Sequence, residues 1–163
     1  MEGTGVTFEE FFLDHYGDVV RSIGLAVGDR LRAEELVQEA FARALRHWRR
    51  VSELDRPVAW VYVVALNEAR RSWSRERRAS VGTGRVELAP DPAGGVAITV
   101  DVRAALEQLT ERQRAAIVLR YLADLSIDDI ADALGCAPGT VKATLHQARA
   151  RLRIELEDDD DAS

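Results

Sequence analysis

SIDDIADALGCAPGTVKATLHQARARL, running from Ser126 to Leu152, reads as two short helices around a tight turn. In SIDDIADAL, Ile127, Ile130, Ala131 and Leu134 recur at helical spacing and form one apolar face. In VKATLHQARARL, Val141, Leu145, Ala148 and Leu152 do the same at spacings of 4, 3 and 4. Lys142, His146, Arg149 and Arg153 repeat that spacing one position later, so they face away from the core. Ser126 is placed to cap the first helix, Gly135 to stop it in the left-handed conformation, and Pro138 to sit in the first turn of the second. Two arrangements fit. One is a helix-turn-helix, whose second helix enters the major groove with early residues on base edges and basic ones on phosphates. The other is a plain αα-hairpin with a solvated basic face. His146 reads as a surface residue or phosphate donor, and nothing gives it a catalytic partner.

Outward from this pair, composition sets the class. The chain has 163 residues, 47% hydrophobic and 31% charged, the balance of a globular protein. No run approaches the ~20 apolar residues of a bilayer span, and MEGTGV lacks the basic and apolar regions of an export signal. One cysteine, Cys136, excludes an internal disulfide, and His15, His47 and His146 lie far apart. No metal site and no cofactor are expected; the expected location is the cytoplasm. The net charge of −6 looks unfavourable for a nucleic-acid partner, but it is unevenly spread. Residues 1–80 hold 13 basic and 13 acidic side chains, residues 101–152 hold 7 and 7, and residues 153–163 carry −5. Within the neutral parts, RRSWSRERR (70–78) has five Arg and one Glu, and 138–153 has four basic residues and no acid. Local basic stretches of this kind point to phosphate contact more directly than the overall charge does.

VGTGRVELAPDPAGG, from Val81 to Gly95, is rich in Gly and Pro and reads as a linker. As a free coil, residues 79–100 would span about 26 Å on average and roughly 73 Å at full stretch. The boundaries expected are a first helical block over 7–79, a linker over 80–100, a second block over 101–154 and an acidic tail over 155–163. Thr7 to Glu10 and Thr110 to Gln113 match capping boxes, Asp101 is a candidate N-cap, and Pro57 suits a first turn. In the first block Leu36, Val37, Ala40, Phe41, Ala44, Leu45 and Trp48 make one apolar stripe, with Glu35, Gln38, Glu39 and Arg43 off it. A loop over 49–56 holds Arg49 and Arg50. The helix from Pro57 packs Val61, Val64 and Ala65 inward. Its later half sets Asn67, Arg70, Arg71, Ser74, Arg75 and Arg78 on one polar face, with Trp73 opposite and toward the core.

Together the blocks resemble the extracytoplasmic-function group of the sigma-70 family of bacterial RNA polymerase sigma factors, in particular its actinobacterial, SigE-like type. AEELVQEAFARALRHW (33–48) and PVAWVYVVALNEARRSWSR (57–75) resemble the family's region 2. LTERQRAAIVLRYLADLSIDDIADALGCAPGTVKATLHQARARLR (109–153) resembles region 4, and the likeness covers about four-fifths of the chain. The resemblance implies an all-α fold of two small domains, a region 2 bundle and a region 4 helix-turn-helix, on a flexible linker. It implies a non-enzymatic initiation subunit that leads core polymerase to −10 and −35 promoter elements. Glu35, Gln38 and Glu39 would meet the β′ clamp helices. Arg49, Arg50, Trp60, Asn67, Arg70, Arg71 and Arg75 would line the −10 site, where a flipped base is captured and phosphates are held. Thr140, Lys142, Thr144 and Gln147 would read the −35 element, with Arg149 on phosphate, and region 4 would lean on the β flap. An anti-sigma factor, which in the family often occludes both blocks, is a further partner the resemblance allows.

Departures from the family pattern sit in the second helix of region 4. Ala137 stands where the family usually has the Ser that caps this helix, a loss of about 0.5–2 kcal/mol that Pro138 partly offsets. Ala143, Thr144 and Gln147 stand where the family commonly has Ser, Arg and Arg. Two fewer cations should flatten the salt dependence of DNA binding by about 0.9 per lost phosphate contact. Two other functions remain open on the sequence: a free-standing helix-turn-helix regulator, and an interaction module with a weakened DNA-reading end. The acidic run from Glu157 to Asp161 is expected either to fold back on the basic helix or to remain solvated.

Overall fold

The computed structural model describes residues 5–79 and 100–161; the side chains of 73–74, 76–79, 100–101 and 154–161 lie outside that description. The expected linker, the inward position of Trp73, and the side chains of Ser74, Arg78 and the acidic run therefore fall outside it as well. Among the described residues are eight helices: α1 Phe8–Val27, α2 Arg30–Arg46, α3 Trp48–Val51, α4 Pro57–Ala79, α5 Val100–Glu107, α6 Glu111–Tyr121, α7 Ile127–Leu134 and α8 Pro138–Asp161. No helix among them is long and apolar enough to cross a membrane.

Local chemistry sets most of the helix ends. Thr7 Oγ1 accepts from the Glu10 backbone N–H at 3.2 Å while Glu10 Oε2 accepts from the Thr7 N–H at 2.9 Å, closing the capping box at the start of α1. Those bonds to the ionised carboxylate hold Glu10 below the usual carboxyl range. Gly28, at φ 75°, ends α1, and Asp29 starts α2 at once by accepting from the Arg32 N–H. Thr110 and Ser126 cap α6 and α7 as expected, and Gly135 closes α7 at φ 65°. Asp101 is not a cap, because helical backbone already begins at Val100.

Helices α1 to α4 form the first body. Phe8, Phe11, Phe12 and Tyr16 of α1 surround Phe41 of α2, with Phe12 edge-on to it at 5.3 Å and Phe11 at 5.7 Å. Trp48 seals this cluster against Phe11 at 5.0 Å. Val61, Tyr62, Ala65, Leu66 and Ala69 are the buried face of α4. The stripe expected on α2 holds through Ala44 but not Leu45, which is 56% exposed. Each step of four residues over-rotates by about 40°, so the series Val37, Phe41, Leu45 walks off the face. Residues 48–51 are a helical turn rather than loop, because the N–H groups of Val51 and Ser52 donate to the carbonyls of His47 and Trp48. Arg49 and Arg50 are exposed on that turn.

Helices α5 to α8 form the second body, around Leu106, Val118, Leu119, Leu125, Ile130, Leu134, Val141 and Leu145. The two bodies do not stand apart. Helix α1 packs on α6 and α4 on α7, and one continuous set of buried side chains runs through both bodies. A cavity of about 250 Å³ remains in this seam, lined by His15, Asp18, Ser22, Val58, Tyr62 and Leu122 among others.

Candidate nucleic-acid interface

Three surfaces carry the residues that sequence singled out. On α2, burial of Ala33, Leu36, Val37, Ala40 and Phe41 turns Glu35, Gln38 and Glu39 outward as an exposed ridge. Glu39 Oε1 accepts from Arg43 Nε at 2.9 Å and from Arg46 Nη2 at 3.3 Å. The Arg43 hydrogen bond pulls its carboxyl below the ordinary range. Gln38 Nε2 donates to the Tyr16 hydroxyl at 3.4 Å.

Helix α4 divides what the sequence presents as one basic face. Asn67, Arg70, Arg71 and Arg75 spread over an arc of about 140° around the axis. One edge meets Glu68, which pairs with Arg71 at 3.9 Å, Arg75 at 3.7 Å and Arg43 of α2 at 3.8 Å. Arg71 and Arg75 stay largely exposed beside it. At the opposite edge Arg70 turns into the seam. Its Nη2 donates to Asn67 Oδ1 at 3.1 Å, and its guanidinium lies where a Cβ on Gly135 of α7 would be. Trp60 is half-buried and packed against the core. The seven residues expected on the −10 site are thus not gathered in one place: Arg49, Arg50, Arg71 and Arg75 are in solvent, whereas Arg70, held by Asn67, lies against the second body.

On α8, Thr140, Lys142, His146, Gln147 and Arg149 are exposed, and Val141, Leu145 and Ala148 are buried. Thr144 departs from the exposed set. It is 8% exposed, and its Oγ1 donates back to the Thr140 carbonyl at 2.8 Å. Its position on the helical wheel, about 60° from Val141 and 40° from Ala148, puts it on the core side. Arg149 Nη1 donates to the Tyr121 hydroxyl at 2.8 Å, which ties α8 to the end of α6. Ala137 is the N-cap of α8: its carbonyl accepts from Thr140 and Val141, and its methyl offers no acceptor to the free N–H groups. Helical backbone continues to Asp161, so the acidic run prolongs α8 instead of folding back along it.

Two arginines that sequence reasoning passed over also lie on the seam. Arg114 Nε donates to the Ala26 carbonyl at 3.1 Å, and Arg56 Nη1 donates to the Asp124 carbonyl at 2.6 Å. Arg114 is only 3% exposed, and burial lowers its pKa from the ordinary arginine value. Among the described residues no three His, Cys, Asp or Glu side chains converge on a point where a metal could sit.

An outward acidic ridge, a basic helix and a helix-turn-helix match known families in register. Residues 11–79 match the family model for sigma-70 region 2, and residues 99–152 match that for sigma-70 region 4. The chain belongs to the sigma-70 family. It is 32% identical over 159 residues to the RNA polymerase sigma-E factor of Streptomyces coelicolor, covering 94% of this chain and 88% of that one. It is 35% identical over 139 residues to the ECF RNA polymerase sigma factor SigL of Mycobacterium tuberculosis, covering 80% and 78%. Among solved structures, the sigma factor RpoE of Bartonella quintana, in complex with the anti-sigma factor NepR, superposes with a TM-score of 0.72 at 28% identity. That superposition covers 92% of this chain and 96% of RpoE, both helical bodies included. CnrH, in complex with the cytosolic domain of CnrY, shares the fold at TM-score 0.59 and 20% identity. The protein is an extracytoplasmic-function RNA polymerase sigma factor, an all-α initiation subunit built from regions 2 and 4. The free-standing regulator is not favoured.

Proposed function

We propose that this sigma factor docks on the clamp helices of core polymerase through Glu35, Gln38 and Glu39. The observation that carries the reading is the burial pattern of α2: six apolar residues fix its inner face, and Glu35, Gln38 and Glu39 are left as an exposed polar ridge on the outer one. At the −10 element Arg49, Arg50, Arg71 and Arg75 hold phosphates of the opened strand, joined by Asn67 and Arg70 once the seam parts. Trp60 belongs to this site as a wall rather than a stacking platform. At the −35 element Thr140, Lys142 and Gln147 face the major groove, and Arg149 takes a phosphate. Thr144 supports the helix from within. An anti-sigma partner is part of this reading, supported by RpoE and CnrH, each solved with a protein bound.

The test is capture of purified core RNA polymerase by the chain and by a variant carrying Glu35→Ala, Gln38→Ala and Glu39→Ala. Capture should weaken about tenfold or more, equivalent to ~1.4 kcal/mol. Run-off transcription on fragmented genomic DNA should yield discrete start sites with the parent chain and few with the variant. Equal capture by both proteins would remove the ridge from the interface.

A further inference from the structure

Three arginines cross the seam, and each ends on backbone of the opposite body. Arg114, from the second body, reaches the carbonyl of Ala26 in the last turn of α1. Arg70, from the first body, lies against Gly135 at the last turn of α7. Arg56 reaches the carbonyl of Asp124, a residue at φ 53° in the loop between α6 and α7. Unpaired carbonyls at a helix C-terminus carry partial negative charge, so a guanidinium placed there is attracted without a carboxylate partner. Val58 and Tyr62 of α4 lie on the same slanting stripe as Arg70 and line the seam cavity with Leu122 and Ala123. The stripe that faces the second body therefore ends on one −10 candidate, Arg70, whose guanidinium Asn67 holds from the same helix.

This seam is not built like a permanent core. Arg114 is buried with one carbonyl hydrogen bond and none at Nη2, and the attraction of Glu111 and Glu107 only partly offsets its burial. A buried charge served so sparsely is costly, and opening would return it to water. The cavity elsewhere in the seam, between α1, α4 and the residues after α6, forfeits further packing. The B. quintana sigma factor holds a comparable arrangement of both bodies while bound to its anti-sigma factor.

We propose that the free chain rests in this closed form, latched by Arg56, Arg70 and Arg114, and that release of the latch frees Arg70 for single-stranded DNA. Helix α8 keeps Thr140, Lys142 and Gln147 exposed, so the closed form withholds Arg70 from the −10 surface and nothing from the −35 one. The inference rests on the reading under Proposed function only in its DNA arm; closure itself is tested on the chain alone.

Small-angle X-ray scattering of the full chain decides closure. A globule of this length has a radius of gyration of about 15 Å, and two bodies ~40 Å apart give about 22 Å. The parent chain should lie near the first value, and Arg56→Ala combined with Arg114→Met should exceed about 20 Å at unchanged helix content. A parent chain already above that value, or an equally helical variant still as compact as the parent, would overturn the latch. Should the double variant lose helix content, Arg56→Ala alone, at an exposed position, is read instead and must still expand the chain measurably. The DNA arm uses a fluorescein-labelled single-stranded oligodeoxynucleotide of random sequence. The opened variant should bind it about fivefold more tightly than the parent, the increase expected when a minor competent state becomes the major one. Simple loss of two cations predicts weaker binding, so the direction alone discriminates. Expansion without tighter binding would keep the latch and remove Arg70 from the DNA surface.

Discussion

Replacing Ala137 by Ser should stabilise region 4 at the start of its recognition helix. In the present chain Thr7, Asp29, Thr110 and Ser126 each place a side-chain oxygen on a backbone N–H of the following helix, at 3.1–3.2 Å. Helix α8 starts without one. Ala137 occupies the cap, and its carbonyl accepts from Thr140 at 3.0 Å and Val141 at 3.2 Å. A hydroxyl there would accept from the Gly139 N–H, or share the Thr140 N–H with the Ala137 carbonyl, and contribute about 1 kcal/mol. For a chain of this size that corresponds to roughly 2–4 °C in thermal midpoint. Gly139, two residues on, softens the same turn. A methyl at that position meets nothing within 4 Å, so Gly139→Ala should add about 0.5–1 kcal/mol. Amide exchange from Thr140 to Leu145 is the local assay, and each 1 kcal/mol should slow exchange about fivefold. Ala137→Val, which adds volume and no acceptor, is the control and should show no gain. If Ser and Val behaved alike, the argument that α8 lacks a cap would be wrong.

Further outcomes follow from the same contacts. Phe41→Ala removes the centre of the aromatic cluster and should cost about 3–5 kcal/mol in a denaturant titration, with loss of core-polymerase capture because the α2 ridge loses its support. Gln147→Arg should steepen the slope of log affinity against log salt for duplex DNA by about 0.9; an unchanged slope would take position 147 off the phosphates. The Glu10 carboxylate accepts from the Thr7 N–H and hydroxyl and titrates below its ordinary range, so its share of the α1 cap is present above that range and lost as pH falls through the lowered value. Thr7→Val removes the hydroxyl donor, and an NMR titration should then show the Glu10 midpoint move back up.

What sequence could reach was local. The capping boxes at Thr7 and Thr110, the stop at Gly135 and the missing acceptor at Ala137 are decided within four residues of chain, and each stands in the structure as read. The inner faces of α7 and α8 follow from periodicity for the same reason. Leu45 and Thr144 show where periodicity stops helping. Counting every apolar residue near a stripe keeps Leu45 in, and counting polar residues outward keeps Thr144 out, whereas the angular position of each decides the opposite. The short turn α3 was masked by its brevity: four residues carry no period.

The seam was out of reach for a deeper reason. Arg70 and Arg71 are neighbours in sequence and about 100° apart on the helix, so one goes to the second body and the other to Glu68, with nothing in the local pattern to separate them. Arg114 follows Thr110 and Glu111 in a polar first turn, where an arginine ordinarily points to solvent. What buries it is the carbonyl of Ala26, 88 residues away, offered by the end of a helix in the other body. A helix end attracts a cation through its backbone, and backbone is common to every sequence, so no carboxylate marks the partner in the text of the chain. The same chemistry keeps closure compatible with opening. Arg70 meets the second body at a helix terminus rather than at a paired acid, so when the bodies part its cation remains available to a DNA phosphate.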